Sequence, residues 1–547
     1  MDEANPLPPK YRNLPSWRSI LRVFGRVLLG LLFLIAATGP IIAFAIFFEE
    51  ITSPGLIIDF LGLWLELYQV MIIVACIAMP IGIYGEYHLV QVVRRYYHQK
   101  SHVKLDWKPK IAALALIGIG MGAFFYYVPY WYMYLGINPV FGPYIAMHGE
   151  NGMQISWDTS QAQLSEVRYG KSETNLDMVA TGGEYWWEAN VPTLHHCVLL
   201  SNLEPDTCYY YKITSFDEKI YHFNTPPLPS SGKDVCFTIV GDTQGAGSHQ
   251  KLLINRQLEK IGASNINFTI ICGDLVNQDD NINEWAMLFD KSSYGKIAPY
   301  IPWQATSGNH ECSCMRSGCD PRGNFKKFMQ NGFTYGYNES GLWDVGCYYS
   351  FNYSNVHFVI LDNFENHTNT FTQRQLEWLD DDLTRNANMW KFISFHLSIY
   401  STSDHGPYPE IQAQLEPLLY KHRVNAIFYG HDHIFEAYHI NRTSPEYPGT
   451  MAIMCAGGGG SLKPVTNPSI MGARVWNGTK NEHNNLIIHV NAQSNPAITS
   501  LPGAQYQLYG ERCHHYVQVF VRGNTATISA YRTFDNSLIQ AYTLSRT

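Results

Sequence analysis

The pattern of apolar positions changes character twice along the chain. Three long uncharged runs come first: VLLGLLFLIAATGPIIAFAIFF (27–48), LYQVMIIVACIAMPIGIYG (67–85) and IAALALIGIGMGAFFYYV (111–128). Each is close to the length an α-helix needs to cross a bilayer, roughly 20 residues. The first has an apolar stretch too long for a cleaved leader. The PYWYMY after the third is an aromatic belt suited to a membrane–water interface. Basic residues set the orientation. Lys10, Arg12, Arg18, Arg22 and Arg26 precede the first run, and Arg94, Arg95, Lys100, Lys104, Lys108 and Lys110 fill the loop between the second and third. The loop after the first run carries Glu49, Glu50 and Asp59 instead. Positive loops stay on the cytoplasmic side. The pattern therefore predicts a cytoplasmic N-terminus (1–26), a membrane domain with three transmembrane helices (27–137), and an extracytoplasmic remainder, at the cell surface or in an organelle lumen.

Beyond residue 138 the period shortens to two. GMQISWDT, SEVRYGK and HHCVLLSNLEPDTCYYYKITSF form short alternating runs separated by turn residues. Residues 138–226 are expected to form a fibronectin III-like β-sandwich, with Leu203, Pro205 and Tyr209 resembling the corner before a strand in that fold. Residues 227–234 read as a linker. From 235 to 547 apolar β-rich runs alternate with helical stretches, as in an α/β domain. The final YVQVFVRGNTATISAYRTFDNSLIQAYTL alternates as hairpins at a sheet edge.

Composition adds three things. A length of 547 residues calls for several domains, and a charged fraction of 15% fits a chain partly in a membrane. A net charge of −8 gives no basis for a nucleic-acid partner, and no P-loop motif is present. Cys76 lies in the second apolar run and all other cysteines lie beyond 138. In an oxidising compartment Cys197 and Cys208, and the group Cys312, Cys314, Cys319 and Cys347, read as disulfide-forming with the pairing open; in a reducing one, CSCMRSGC invites a zinc reading. Cys236 and Cys272 read as buried thiols in strands. Glycosylation sequons at Asn267, Asn338, Asn352, Asn366, Asn441 and Asn477 all fall on the outer side.

Candidate chemistry gathers where strands end. VCFTIVGD ends on Asp242, NFTIICGD on Asp274 and WKFISFH on His396; PWQATSGNHE carries Asn309 and His310, and VNAIFYGHDH carries His431 and His433. Ligands of open α/β sheets gather beyond the carboxyl ends of strands. Two divalent ions about 3.5–4 Å apart need a bridging carboxylate and N/O donors on either side. Asp274 is the natural bridge: Asp242, Asp274 and His433 would hold one ion, and Asp274, Asn309, His396 and His431 the other. Glycines at 241, 273, 308 and 430 would supply the sharp turns. Asp432 is expected to face away and bond its own loop, and Asp362 to support the site without ligating. His195–His196 and His514–His515 read as strand-edge or turn residues, AGGGGS (456–461) as a close backbone approach, and 462–510 as an insertion shaping access.

The ordered series GD…GD…GNHE…H…GHxH resembles that of the calcineurin-like metallophosphoesterases, and most closely the purple acid phosphatases, which also carry a fibronectin-like domain before the catalytic one. VRYG (167–170), HHCVLLSNLEPDTCYYYKI (195–213), HLSIYSTSDH (396–405) and GHDHIFEAY carry the likeness over about 139–547. The resemblance implies an α/β four-layer sandwich and a dinuclear site of iron, zinc or manganese. It also implies hydrolysis of a phosphate mono- or diester by metal-activated hydroxide. His310 would stabilise the developing charge or protonate the leaving oxygen, and His405 would face the substrate, a small molecule or a lipid-linked phosphate. Two positions depart from the pattern. The iron-binding tyrosine of purple acid phosphatases is replaced by Asn277, so the centre should be colourless. The histidine that many metallophosphoesterases place two residues after the first Asp is Gln244, a candidate for metal or substrate. A rival reading is an inactive or weakly active membrane receptor built on the same scaffold.

Overall fold

The computed structural model describes residues 140–159, 162–186, 194–244, 266–291, 293–312, 325, 347–365, 369–403, 405–440, 449–457, 487–488 and 506–546. The three apolar runs, the N-terminal basic segment, most of 462–510, Cys314, Cys319 and four of the sequons lie outside them. Among the described residues no helix is long and apolar enough to cross a membrane.

Two four-stranded sheets come first. Strands β1 (Phe141–Met147), β2 (Met153–Thr159), β5 (Gly183–Trp186) and β6 (Leu194–Leu200) form one in the order β1-β2-β6-β5. Strands β3 (Glu166–Gly170), β4 (Met178–Thr181), β7 (Cys208–Ile213) and β8 (Tyr221–Asn224) form the other in the order β4-β3-β7-β8. Alternate residues of β2 and β7, among them Trp157, Tyr209 and Tyr211, fill the space between them. The Glu204 N–H donates to Tyr209 Oη at 3.1 Å, so the corner legible around Leu203, Pro205 and Tyr209 is built as in fibronectin-like sandwiches.

The α/β part stacks two larger sheets. The first is β11-β10-β9-β20-β21-β22, from β9 (Val235–Val240), β10 (Phe268–Ile271), β11 (Trp303–Ala305), β20 (His515–Arg522), β21 (Thr525–Arg532) and β22 (Leu538–Ser545). The second is β12-β13-β14-β15-β17-β16-β19-β18, from β12 (Tyr349–Tyr353), β13 (Val356–Ile360), β14 (Trp390–Ser394), β15 (Ala426–Tyr429), β16 (Phe435–Ile440), β17 (Thr450–Cys455), β18 (Ile487–Ile488) and β19 (Gln507–Glu511). Phe237 and Phe268 of the first sheet meet Phe358 of the second edge-on, with centroids 4.9 and 5.0 Å apart. Odd and even positions of β13–β15 then part company. Phe358, Phe392 and Phe428 face the other sheet, while Val359, Ile393 and Ile427 meet helices. Strands buried on both faces read as continuous apolar runs. The helices are α2 (Gln373–Arg385), capped by Thr372 on Gln375 N, and α3 (Pro409–Lys421), with proline at its start. The short α1 (Ile282–Leu288) follows β10.

The sandwich and the α/β part share a core. Ile145 N donates to Ala298 O at 3.0 Å, Tyr211 Oη to Pro299 O at 2.8 Å, and Gln304 Nε2 to Met147 O at 3.0 Å. The segment read as a linker is tied down as well: Ser354 binds Pro227 O through its N–H and Lys233 O through its hydroxyl.

Several expectations need correcting. His195, His196 and His515 are fully buried, not edge residues. His196 stacks on Trp157 and bonds Thr159 Oγ1 and Ser165 Oγ at 2.7 and 2.9 Å, partners supplied across the sheet. His515 bonds the carbonyls of Cys513 and Met454. Cys208 keeps a free thiol, so it forms no disulfide with Cys197; the two residues sit on strands of opposite sheets. Cys236 and Cys272 are buried free thiols, as expected. Both described sequon residues are engaged, Asn267 Oδ1 with Cys236 N and Asn352 Oδ1 with His357 Nδ1, each at 2.8 Å.

Candidate metal centre

Strands β9, β10 and β11 run parallel, as do β14, β15 and β17. The loops after the first five of these open on one site. Asp242 follows β9 by two residues, Asp274 follows β10, Asn309 follows β11, His396 follows β14, and His431 and His433 follow β15. The ligand atoms of Asp242, Asp274 and His433 lie within 4.8 Å of one another, and so do those of Asp274, His396 and His431. Asp274 belongs to both groups. Asn309 Oδ1 joins the second, 3.0 Å from His396 Nε2 and 2.9 Å from His431 Nδ1. His433 Nε2 is 3.2 Å from Asp242 Oδ1, and His396 Nε2 is 3.4 Å from Asp274 Oδ2. Two carboxylates, one shared, with three imidazoles and an amide oxygen are a donor set suited to two first-row divalent ions.

Backbone geometry aims these side chains. Asp242, Asp274 and His431 adopt left-handed conformations, with φ of 57°, 52° and 80°, a region L-residues rarely occupy outside functional sites and turns. The turns thus lie in the ligands themselves. Of the four preceding glycines only Gly273 has a positive φ; Gly308 and Gly430 are required for room, and Gly241 is tight, a Cβ there lying 3.1 Å from Cys272 Cβ and Cys455 O. A Cβ at Gly308 would sit 2.1 Å from Asp274 Oδ1, and one at Gly430 would sit 2.6 Å from Asp242 Oδ2.

Partners on the outer side of two of the rings leave the right nitrogen free. His396 Nδ1 donates to Cys272 O at 2.8 Å, so Nε2 points inward. His431 Nε2 meets Tyr408 Oη at 3.2 Å, so Nδ1 is the ligand atom. His310 stands outside both ligand groups. Its Nδ1 donates to Asn277 O at 3.0 Å, and its Nε2 lies 3.9 Å from Asp274 Oδ2 on a side chain about a third exposed. Position 277 thus contributes a backbone carbonyl that any residue could supply. His405 is exposed, its ring stacked on that of His431 with centroids 4.4 Å apart.

Charge in the site follows the same arrangement. Burial opposes ionisation of Asp274, but His396 and His310 hold its carboxyl well below the usual range. Burial likewise opposes protonation of His396, yet the Asp274 carboxylate lifts it to about 10. His431, buried and beside His396 and His405, is held well below its ordinary value and is therefore a neutral imidazole.

Other residues complete the frame. Glu311, fully buried, accepts the N–H groups of Asp274, Leu275, Val276 and Gly308 at 2.7–3.1 Å. Burial, then the Asp274 charge, pushes its carboxyl up to about 7, with the N–H groups pulling the other way. Glu311→Ala would leave several buried donors without an acceptor, at about 1–3 kcal/mol each. We expect its stability in urea to fall by at least about 3 kcal/mol; an unchanged midpoint would show that water replaces the carboxylate. Asn363 Oδ1 similarly holds the N–H groups of His396 and Leu397. Asp362 accepts from Ser307 Oγ, Cys347 N and Phe364 N, and so supports the loop of Asn309 without ligating. Asp432 does not bond its own loop: it accepts from Ser401 Oγ and His405 N and so fixes the loop that presents His405. Glu311, Asn363 and Tyr408 were not singled out from sequence. Only Glu311 carried a signal there, through its place in GNHE. Gly457 does make a close backbone approach, with room for a Cβ denied by His515 Nδ1 at 2.2 Å.

Residues 237–435 match the calcineurin-like phosphoesterase family, and residues 141–225 match the purple acid phosphatase N-terminal domain. These matches support a metal-dependent phosphoric ester hydrolase, with a catalytic domain similar to the calcineurin-like phosphoesterases. Within that class the chain is homologous to the purple acid phosphatases. It is 26% identical over 343 residues to purple acid phosphatase 18 of Arabidopsis thaliana, covering 60% of this chain and 73% of that one. It is 28% identical over 315 residues to the Fe(3+)-Zn(2+) purple acid phosphatase 12 of the same plant, covering 53% and 62%. The fold is similar to that of purple acid phosphatase PPD1 from yellow lupin (Lupinus luteus) seeds, with a TM-score of 0.57 at 18% identity over 74% of each chain.

Proposed function

We propose that the chain is a membrane-anchored, extracytoplasmic phosphoesterase that hydrolyses phosphate mono- or diesters at a dinuclear centre of iron, zinc or manganese. The observation that carries the catalytic part is the double ligand group sharing Asp274. The membrane part rests on the three apolar runs before residue 138 and the basic residues flanking them.

Bound metal ions would supply a nucleophile at neutral pH and offset phosphate charge. The chain's own residues do the rest. Asp242, Asp274 and His433 would hold one ion; Asp274, Asn309, His396 and His431 would hold the other. His310, with Nδ1–H committed to Asn277 O, presents Nε2 toward the open side of Asp274, where it can give a proton to a leaving oxygen. His405, held by Asp432, lies over His431 at the exposed mouth, placed to bind a phosphate oxygen.

The full-length purified chain is expected to carry two metals and to hydrolyse an aryl phosphate monoester or diester in a chelator-sensitive way, with activity restored by metal. The ester preferred narrows the substrate, whether soluble or lipid-linked. A folded sample that takes up no iron, zinc or manganese and turns over neither ester would favour the receptor reading.

A further inference from the structure

Gln244 is 3% exposed, and its Oε1 is a buried acceptor with no hydrogen-bond partner. The other end of the same amide lies among the ligands: Nε2 is 3.1 Å from Asp274 Oδ2 and 3.2 Å from His433 Nε2. Nitrogen and oxygen of an amide are told apart only by their partners, and here one neighbour is an imidazole nitrogen whose role is to bind metal. The separations carry the argument further. Donors about 2.1 Å from one small divalent ion stand roughly 3.0–3.4 Å apart, for octahedral and tetrahedral arrangements respectively. The pair Asp242 Oδ1–His433 Nε2, at 3.2 Å, is one such edge. The amide tip makes two more. Its backbone is pinned to the same loop, with Gln244 N donating to Asp274 O at 3.0 Å.

We propose that Gln244 is a metal ligand, its amide oxygen turned inward to complete the position of Asp242, Asp274 and His433, and that it biases that position toward a hard, oxygen-seeking divalent cation of the Mn2+ type. The inference rests on the two-metal reading above. With Gln244 the first position has three oxygen donors and one imidazole. The second, from Asp274, Asn309, His396 and His431, has two of each. Carboxylate and carbonyl oxygens suit manganese, whereas imidazole suits zinc. The neutral amide adds no charge to the two carboxylates of Asp242 and Asp274, so the first position lacks both a third anionic ligand that would stabilise a trivalent ion and the second imidazole that would favour zinc. Each chain thus offers two unlike positions.

The test is titration of the metal-stripped full-length chain with Mn2+ and with Zn2+, followed by calorimetry and by the Mn2+ paramagnetic resonance signal. Wild type should bind two ions. Gln244→Ala should weaken one Mn2+ binding event by roughly 10–100-fold, the range seen when a metal's supporting residues are removed, and leave the other unchanged. Gln244→His should raise Zn2+ over Mn2+ affinity at one position by about tenfold or more, and carries the test if the alanine variant misfolds. Two unaltered Mn2+ events in Gln244→Ala, or no change of preference in Gln244→His, would overturn the assignment. An alanine variant with unchanged metal binding and a raised KM would make Gln244 a substrate contact instead. A wild-type chain that binds no ion would overturn the metal reading itself, and this inference with it.

Discussion

Asp274→Asn is expected to cost the chain at least one of its two metals and to lower turnover of an aryl phosphate by about a thousandfold or more. Asp274 alone belongs to both ligand groups. Its Oδ2 faces His396 and Gln244, and its Oδ1 accepts the His310 N–H at 2.9 Å. Asparagine has nearly the same shape and also tolerates the left-handed φ of 52° found here, so the loop should survive. What changes is charge. A carboxylate between two cations becomes a neutral amide with one donor end, which cannot bridge. A loss of about 4 kcal/mol in the stabilisation that two metals give a transition state corresponds to roughly a factor of a thousand. Metal content and turnover of the same sample decide the matter. Two metals with full activity in the variant would end the bridging role for Asp274.

The strand-end series was legible because its logic is local: a strand, a small residue, then a ligand. Parallel strands bring such ends together, and no loop conformation has to be known for that. The residues that aim the ligands were not legible in the same way. Glu311 binds four backbone N–H groups from two loops, and nothing in the spacing of 274 and 311 announces that those loops touch. Asp432 illustrates the limit more sharply. Lying between two ligands, it was expected to serve its own loop, yet its carboxylate reaches across to residues 401–405. Buried polar clusters fail for a related reason. The partners of His196, Thr159 and Ser165, come from neighbouring strands and the loop before β3, so a polar pair in sequence gives no hint of being satisfied inside. Gly273 does supply the turn freedom expected of it, with a positive φ, but Gly308 and Gly430 are needed for a different reason. Turn freedom is a one-residue property, whereas the room needed at Gly308 and Gly430 is set by side chains far away in sequence.

His310→Ala should leave both metals in place and slow turnover by roughly 10²–10⁴, the contribution typical of a positioned general acid or base. Geometry separates this residue from the ligands. Neither group of ligand atoms includes it, and its Nε2 stands 3.9 Å from the nearest Asp274 oxygen. The bond from Nδ1 to Asn277 O holds the ring and fixes where the second nitrogen points. A histidine so held has only Nε2 left to exchange a proton with a bound ester. If that proton goes to the leaving oxygen, the defect must depend on the leaving group. An aryl phosphate with an acidic phenol needs little help and should lose least, and an alkyl phosphate should lose most. The loss should appear in kcat more than in KM, because the proton moves in the transition state and not on binding. A structural role predicts an equal loss for both esters. A variant that has shed a metal would place His310 among the ligands and break the division of labour between Asp274, which assembles the centre, and His310, which works beside it.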